Sequence, residues 1–201
     1  QTGTGKTAAY SIPILELLLK SKKSSVLILI PTRELAKQVL NVIHSLLGFK
    51  SPINSVSLIG GESMSKQLSL LKKRPRIFVG TPGRINDHLE RGTVNFKDVK
   101  YLVLDETDRM LDMGFEVQIN KILKHIKNEK QILMFSATIP KDIIKLSSKY
   151  LNNPVRISIG ESNTVAENIT QEITELKADQ KLDELIKQIN KRNGSILVFV
   201  K

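Results

Sequence analysis

The sequence of 201 residues contains no cysteine, which excludes disulfides, thiolate metal sites and cysteine nucleophiles and suits a reducing cytosol. It has no long apolar run either. The longest purely aliphatic stretch, Val26-Leu27-Ile28-Leu29-Ile30, is far too short to cross a bilayer, and no charged-then-apolar leader opens the chain. No tandem repeat or low-complexity tract is present. Acidic residues are in deficit: 31 Lys plus Arg against 20 Asp plus Glu leave a net charge of +11, so polyanions attract the chain in a salt-dependent way. Lysines scattered over every face would give the same excess, so charge alone does not establish nucleic-acid binding. The apolar fraction of 40% is ordinary for a soluble globular protein, and the length allows one large or two small domains. A soluble, cytoplasmic protein is expected. Residue 1 is Gln, not Met, and it falls inside a motif, so the sequence reads as a piece of something longer.

Tyr101-Leu102-Val103-Leu104-Asp105-Glu106-Thr107-Asp108 is an apolar run that ends in three carboxylates. It reads as a buried parallel strand delivering acids into a crevice, where α/β sheets place their ligands. One such carboxylate can hold Mg²⁺ through water, and a neighbour can take a proton from an attacking water. The opening Gln1-Thr2-Gly3-Thr4-Gly5-Lys6-Thr7 supplies the complementary part. A phosphate loop needs backbone N–H groups curved around an anion, then a helix N-terminus and a Lys for the terminal phosphates. Gly3, Gly5, Lys6 and Thr7 meet that need with seven of the eight positions of G-x-x-x-x-G-K-[ST] visible. The strand expected to feed this loop is missing, and without it neighbouring backbone groups would lie unpaired.

Residues 6–20 have a helical pattern, with Ile12, Leu15, Leu18 and Leu19 on one face and Pro13 near the start. Residues 26–30 form a strand, and Pro31-Thr32-Arg33-Glu34 starts a helix with Leu35, Val39, Val42, Ile43 and Leu46 inward. The beat repeats: strand 56–59 ending in Gly60-Gly61, helix 63–71, strand 76–79, the turn Gly80-Thr81-Pro82-Gly83-Arg84 and a short helix holding Ile85 and Leu89. The acidic strand follows, then a helix bearing Phe115, Ile119, Ile122, Leu123 and Ile126, strand 131–135, Ser136-Ala137-Thr138, a helix begun by Pro140, and a closing strand at 155–159. Such alternation predicts an α/β fold with a mainly parallel sheet flanked by helices. Residues 160–168 read as a linker; strand 169–176, helix 181–190 and buried strand 196–200 then open a second domain. His44, His88 and His125 fall in separate helices without metal-ligand spacing, which favours a solvated or packed role, and Ser136 has no His partner that would make it a nucleophile.

These stretches resemble the N-terminal RecA-like domain of a DEAD-box ATP-dependent RNA helicase, over nearly the whole chain. The resemblance rests on six motifs in order: residues 1–7, Pro31-Thr32-Arg33-Glu34-Leu35-Ala36, Gly60-Gly61, Thr81-Pro82-Gly83-Arg84, Asp105-Glu106-Thr107-Asp108 and Ser136-Ala137-Thr138, with Leu111-Asp112-Met113-Gly114-Phe115 after the acids. Its details look most like the bacterial RhlE-type subgroup. The resemblance implies a RecA-like ATP-binding domain over residues 1–160, lacking its N-terminal segment, and a linker plus the beginning of a second RecA-like domain over 161–201. It implies ATP and Mg²⁺ as ligands. Thr2, Gly3, Thr4, Gly5 and Lys6 would hold the phosphates, and Thr7 and Asp105 would support Mg²⁺. Glu106 would position or deprotonate the hydrolytic water, with Lys6 and Asp105 completing the catalytic set. Asp108, Ser136 and Thr138 would couple the nucleotide site to domain closure. Pro31, Thr32, Arg33, Gly60, Gly61, Thr81, Gly83 and Arg84 resemble the family's RNA-backbone contacts, which suits glycines, helix N-termini and Arg as phosphate ligands without base readout.

Thr107 stands where the family name has Ala, a change expected to be tolerated because no charge is lost. The family's adenine-reading segment would precede Gln1, and its arginine fingers would follow Lys201. Two functions are therefore carried forward. The parent protein would hydrolyse ATP to unwind RNA locally, and the chain by itself would be inactive alone, a non-catalytic nucleic-acid-binding fragment that needs the rest of the helicase to complete its cleft. A P-loop NTPase acting on DNA is the remaining alternative. No membrane partner is expected.

Overall fold

Five strands follow from the apolar runs: β1 (Ser25–Leu29), β2 (Ser55–Leu58), β3 (Ile77–Gly80), β4 (Val99–Leu104) and β5 (Gln131–Met134). In this computed structural model, which describes residues 5–48, 50–127, 129–159, 170 and 172–200, all four strand pairings are parallel and the order is β2-β3-β1-β4-β5. Parallel strands need crossovers, and the helices supply them: α1 (Lys6–Lys20), α2 (Arg33–Leu47), α3 (Met64–Leu71), α4 (Pro82–Glu90), α5 (Thr107–Asp112), α6 (Glu116–His125) and α7 (Lys141–Tyr150).

Period-2 alternation sorts the core into two layers. Val26, Ile28, Ile77, Val79 and Val103 face α1 and α2, which contribute Tyr10, Ile14, Leu18, Val39 and Ile43. Leu27, Leu29, Phe78, Leu102 and Leu104 face the other way, onto Ile85, Met110, Ile119 and Ile122. Because both faces are covered, all five residues of β1 are buried, which is why the run reads as continuously apolar and not alternating. Among the described residues no helix is long and apolar enough to cross a membrane.

The chain divides into two compact units, Gln1–Ile157 and Ser158–Lys201. In the second, helix α8 (Lys181–Asn190) follows a single 3₁₀ turn, Ala178–Gln180.

Several expectations are corrected. The inward face of α1 is Tyr10, Ser11, Ile14, Leu15 and Leu18, while Ile12 and Leu19 are 55% and 58% exposed. The packed stripe includes two hydroxyl side chains, which an apolar count passes over. On α2 the buried set is Ala36, Val39, Leu40 and Ile43, and Val42 and Leu46 face outward. The segment after β4 forms two helices, broken at Gly114, whose φ of +74° ends α5 and lets Phe115 cap α6. No closing strand forms at 155–159: Val155 and Ile157 are 87% and 81% exposed. A strand needs a ladder partner, and residues 155–159 pair with none of the five strands, not even at the free edge of β5. The strands expected at 169–176 and 196–200 fail likewise. Thr170 and residues 172–176 carry no strand, Ile169 and Gln171 lie outside the described residues, and Leu197, Phe199 and Val200 are exposed. The linker at 160–168 also falls outside the described residues.

Candidate nucleotide corner and backbone-binding groove

Parallel pairing puts the carboxyl ends of all five strands on one edge of the sheet, and every motif read from the sequence that is described lies there. Thr2, Gly3 and Thr4 fall outside the described residues. Gly5 does not: it is the N-cap of α1 with φ 76° and ψ 7°, a left-handed backbone that glycine adopts without penalty. No side chain caps the first amides of α1 and no acid sits in its first turn. Those donors, with the positive end of a 15-residue helix behind them, suit an anion.

One turn on, the Tyr10 hydroxyl donates to Asp105 Oδ2 at 3.0 Å, joining α1 to the end of β4 across 95 residues of sequence. The Thr7 side chain acts on the same Tyr10 hydroxyl, and the Lys6 ammonium acts on the Asp105 carboxyl. Lys6, Thr7, Tyr10 and Asp105 therefore share one corner. Burial pushes the Asp105 carboxyl up from its ordinary range; the Tyr10 hydroxyl, the Glu106 amide and the Lys6 charge oppose that rise. Tyr10 is pushed far up, first by burial and then by the Asp105 charge, so its hydroxyl keeps its proton and remains a donor. Sequence reasoning missed Tyr10; its position three residues after Thr7 on one helix face was the available signal.

Glu106 is held at φ 47° and ψ 51°, in the left-handed region, a conformation that costs a non-glycine residue about 1–3 kcal/mol. Three hydrogen bonds hold the turn. The Glu106 amide donates to Asp105 Oδ1 at 2.9 Å, the Thr107 amide to the Phe135 carbonyl at 3.0 Å, and the Asp108 amide to Ser136 Oγ at 3.3 Å. The strained turn separates Asp105, pointing at α1, from Asp108, pointing at the segment after β5. There the Thr138 amide and hydroxyl donate to Asp108 Oδ2 at 2.9 and 2.8 Å, and Ser136 Oγ donates to the Thr138 carbonyl at 2.6 Å. Burial by itself would raise the Asp108 carboxyl, but these Thr138 and Ser136 contacts outweigh it and hold the group below its ordinary value. Thr107 is fully buried, and its hydroxyl lies 3.1 Å from both the Leu104 and the Phe135 carbonyls, so it is satisfied whichever it donates to.

The other motifs line an open groove of about 500 Å³ over the ends of β1, β2 and β3. Pro31, Thr32, Arg33, Gly60, Thr81, Gly83 and Arg84 border it. Thr32 caps α2, its hydroxyl accepting from the Leu35 amide at 3.3 Å, whereas Thr81 makes no side-chain cap and leaves the first amides of α4 free of one. The Arg33 guanidinium lies across Gly60 and Gly61: a Cβ on Gly61 would stand 2.1 Å from its Nη1, and Gly61 also has φ 76°. The left-handed backbone favours glycine there, and a Cβ would also push the guanidinium off the turn. Arg84 Nη1 donates to the Glu62 carbonyl at 3.2 Å, tying α4 to the Gly60-Gly61 turn.

Beneath this turn runs a polar chain that the sequence did not reveal. Gln67 Nε2 donates to the Ile59 carbonyl at 2.8 Å, which turns its Oε1 toward His88 Nε2 at 2.9 Å, and His88 Nδ1 pairs with Thr93 Oγ1 at 2.8 Å. Gln67 and His88 are fully buried. The amide orientation makes His88 Nε2 the protonated nitrogen, and burial, followed by the Arg84 charge, pushes its pKa down. His88 is thus packed, while His44 lies exposed against Ser55 on α2 and His125 is exposed on α6.

The sequence model for the DEAD/DEAH box helicases matches residues 1–146. The ATP-dependent RNA helicase DeaD of Mycobacterium tuberculosis is 42% identical over all of this chain, which corresponds to 36% of that protein. A crystal structure of a DEAD box protein from Methanococcus jannaschii superposes with a TM-score of 0.72 at 41% identity, covering 94% of this chain and 50% of that one. The yeast DEAD-box splicing factor Prp28 gives a TM-score of 0.77 at 32% identity over 95% of this chain and 47% of that one. The chain thus spans between about a third and a half of the length of these relatives, and with the model matched over most of its length and its motifs gathered on one edge of a parallel sheet, it belongs to the DEAD/DEAH box helicase family.

Proposed function

We propose that the protein carrying this chain is an ATP-dependent RNA helicase, that residues 1–160 are its RecA-like ATP-binding domain, and that residues 161–201 are a linker and the beginning of a second RecA-like domain. The observation that carries the reading is the Tyr10 to Asp105 bond, which brings the Lys6 helix start and the acid end of β4 into one corner. The division into compact units after Ile157 supports the boundary.

In this reading Gly5, Lys6 and the first amides of α1, with Thr2, Gly3 and Thr4, hold the triphosphate. Thr7 and Asp105 fit Mg²⁺: a hydroxyl and a carboxylate are hard oxygen donors, and this ion takes few protein ligands beside water and phosphate. The bound ion would neutralise charge on the phosphate oxygens. Tyr10 holds the Asp105 carboxylate in one orientation. Glu106 takes a proton from the attacking water onto a carboxylate oxygen. Asp108, through Ser136 and Thr138, links the same turn to the segment after β5 and so to domain closure. Arg33, Arg84, the Gly60-Gly61 turn and the start of α4 grip RNA by its phosphates in the groove. The relatives carry several subgroup names, so the family and not the RhlE-type subgroup is what this reading uses.

RNA-stimulated ATP hydrolysis by the full-length protein tests it. Glu106→Gln keeps the side-chain shape and removes the proton acceptor; kcat should fall about 10²–10⁴-fold with ATP affinity retained. Undiminished turnover would remove Glu106 from its role. Because the chain spans only part of its relatives, a second expectation follows: residues 1–201 alone should hydrolyse ATP no faster than their Lys6→Ala variant.

A further inference from the structure

The loops at the amino ends of β1, β2 and β3 form a surface of their own. Residues 20–25, 48–54 and 72–76 contain eight Lys and Arg and no Asp or Glu. The segments that leave the carboxyl ends of the same three strands, 30–34, 59–63 and 80–84, contain two Arg and two Glu. Lysine bias spread evenly over the molecule does not produce that contrast.

The three loops are also fastened together. Arg76 donates through Nε to the Ser24 carbonyl at 2.8 Å and through Nη2 to the Leu18 carbonyl at 2.7 Å and to the Ser21 carbonyl, capping the end of α1. Asn54 Nδ2 donates to the Lys73 carbonyl at 2.9 Å, and the Arg76 amide donates to the Asn54 carbonyl at 2.9 Å. Lys20 pairs with Glu16 at 2.5 Å. That leaves Lys22, Lys23, Lys50, Lys72, Lys73 and Arg74, all exposed and none of them in an ion pair among the described residues. Neighbouring strands lie about 4.8 Å apart, so the three loops start within about 10 Å of one another. Among their described residues no large apolar side chain is exposed, although Leu19 and Leu46 are exposed on the helices that precede them.

We propose that this basic pole is a second RNA-backbone contact, engaging a part of the RNA other than the strand in the groove. The proposal rests on the RNA reading above. From Arg33 at the groove to Leu47, α2 runs 15 residues, about 22 Å at 1.5 Å per residue, so along this helix the two contacts stand roughly that far apart. At 3.4 Å per base along a strand this is roughly six to seven base pairs, more than a short oligonucleotide filling the groove can reach. The pole therefore adds affinity for RNA that continues past the groove, through phosphate charge and without base readout.

The test uses the full-length protein with Lys22, Lys23, Lys72 and Lys73 all changed to Glu, and two probes: a six-nucleotide single strand, and the same strand extended by a 20-base-pair hairpin. The extended RNA should bind at least ~10-fold more weakly at low salt, with the slope of log affinity against log salt reduced by about 3, as expected for four lost phosphate contacts. The short strand should bind within about threefold of wild type, and short-RNA-stimulated kcat should not change. Equal loss for both probes, or no loss for either, overturns the proposal. So does binding to vesicles of anionic phospholipid that is lost in the variant while RNA affinity stays. Arg33→Ala is the control for the groove. If it leaves short-strand affinity intact, the groove reading fails, and the pole is still judged on the extended probe.

Discussion

The two ends of the sheet present positive charge by different means. At the carboxyl end, next to β1, β2 and β3, formal charge nearly cancels, and what is offered to an anion is backbone: uncapped amides at the starts of α1 and α4, glycines that let a chain approach, and Arg33 laid over Gly60 and Gly61. At the amino end the motifs are gone, and exposed basic side chains, most of them in no ion pair among the described residues, take their place. A net charge of +11 therefore does not sit where the chemistry sits. In the proposed reading the carboxyl end would be specific because its donors are fixed by strained or buried structure, and the amino end would contribute reach and salt dependence.

If that contrast holds, changes at the carboxyl end that leave charge untouched should hurt most. Gly61→Ala introduces a Cβ into the Arg33 guanidinium at a left-handed position. It should weaken RNA binding at least ~10-fold and cost about 1–3 kcal/mol in denaturant unfolding, with ATP affinity kept. An unchanged RNA affinity would detach the Gly60-Gly61 turn from the groove's function. Next comes Gln67→Met, which keeps the volume but strands the Ile59 carbonyl and His88. Chemical unfolding should show a loss of about 1–3 kcal/mol, and a neutral result would mean that the buried chain is incidental.

A smaller, pH-dependent effect sharpens the same point. The pKa of His88 is depressed, so the unfolded chain binds the extra proton first, and the stability it contributes is complete above about pH 6.5 and lost as pH falls below it. The stability gap between wild type and His88→Asn should shrink through that window; a flat gap would show that His88 does not titrate on unfolding. Asp108 works in the acid range with the other sign of charge. Its depressed carboxyl contributes stability above about pH 4 that fades as pH falls toward its folded value, so the gap to Asp108→Asn should close only below that pH. The smallest effect belongs to Thr107→Ala. Both carbonyls its hydroxyl can reach keep a backbone donor, Leu104 from the Phe135 amide and Phe135 from the Thr107 amide, so nothing is stranded and the loss should stay below about 1 kcal/mol.

What was legible in the sequence was what is local or periodic. Five apolar runs and the helices between them could be placed because a parallel sheet covered on both faces writes continuous Val, Ile and Leu into each strand. Tyr10, Gln67 and His88 were not legible as a group: each does its work through a partner 21 to 95 residues away, and nothing in their spacing announces the bond. Residues 155–159 and 196–200 show the reverse error. Their composition is that of strands, but composition does not supply a neighbour, and without one the backbone has no ladder to join.

Everything at the carboxyl end depends on the Lys6 helix start and the Asp105 strand end being one site. The direct measurement is a crystal structure of the full-length protein with Mg²⁺ and a non-hydrolysable ATP analogue. The terminal phosphates should lie on the first amides of α1, between Lys6 and Asp105, with Glu106 facing the γ-phosphate. Phosphates bound anywhere else, with Lys6 and Asp105 making no contact to them, would contradict the account.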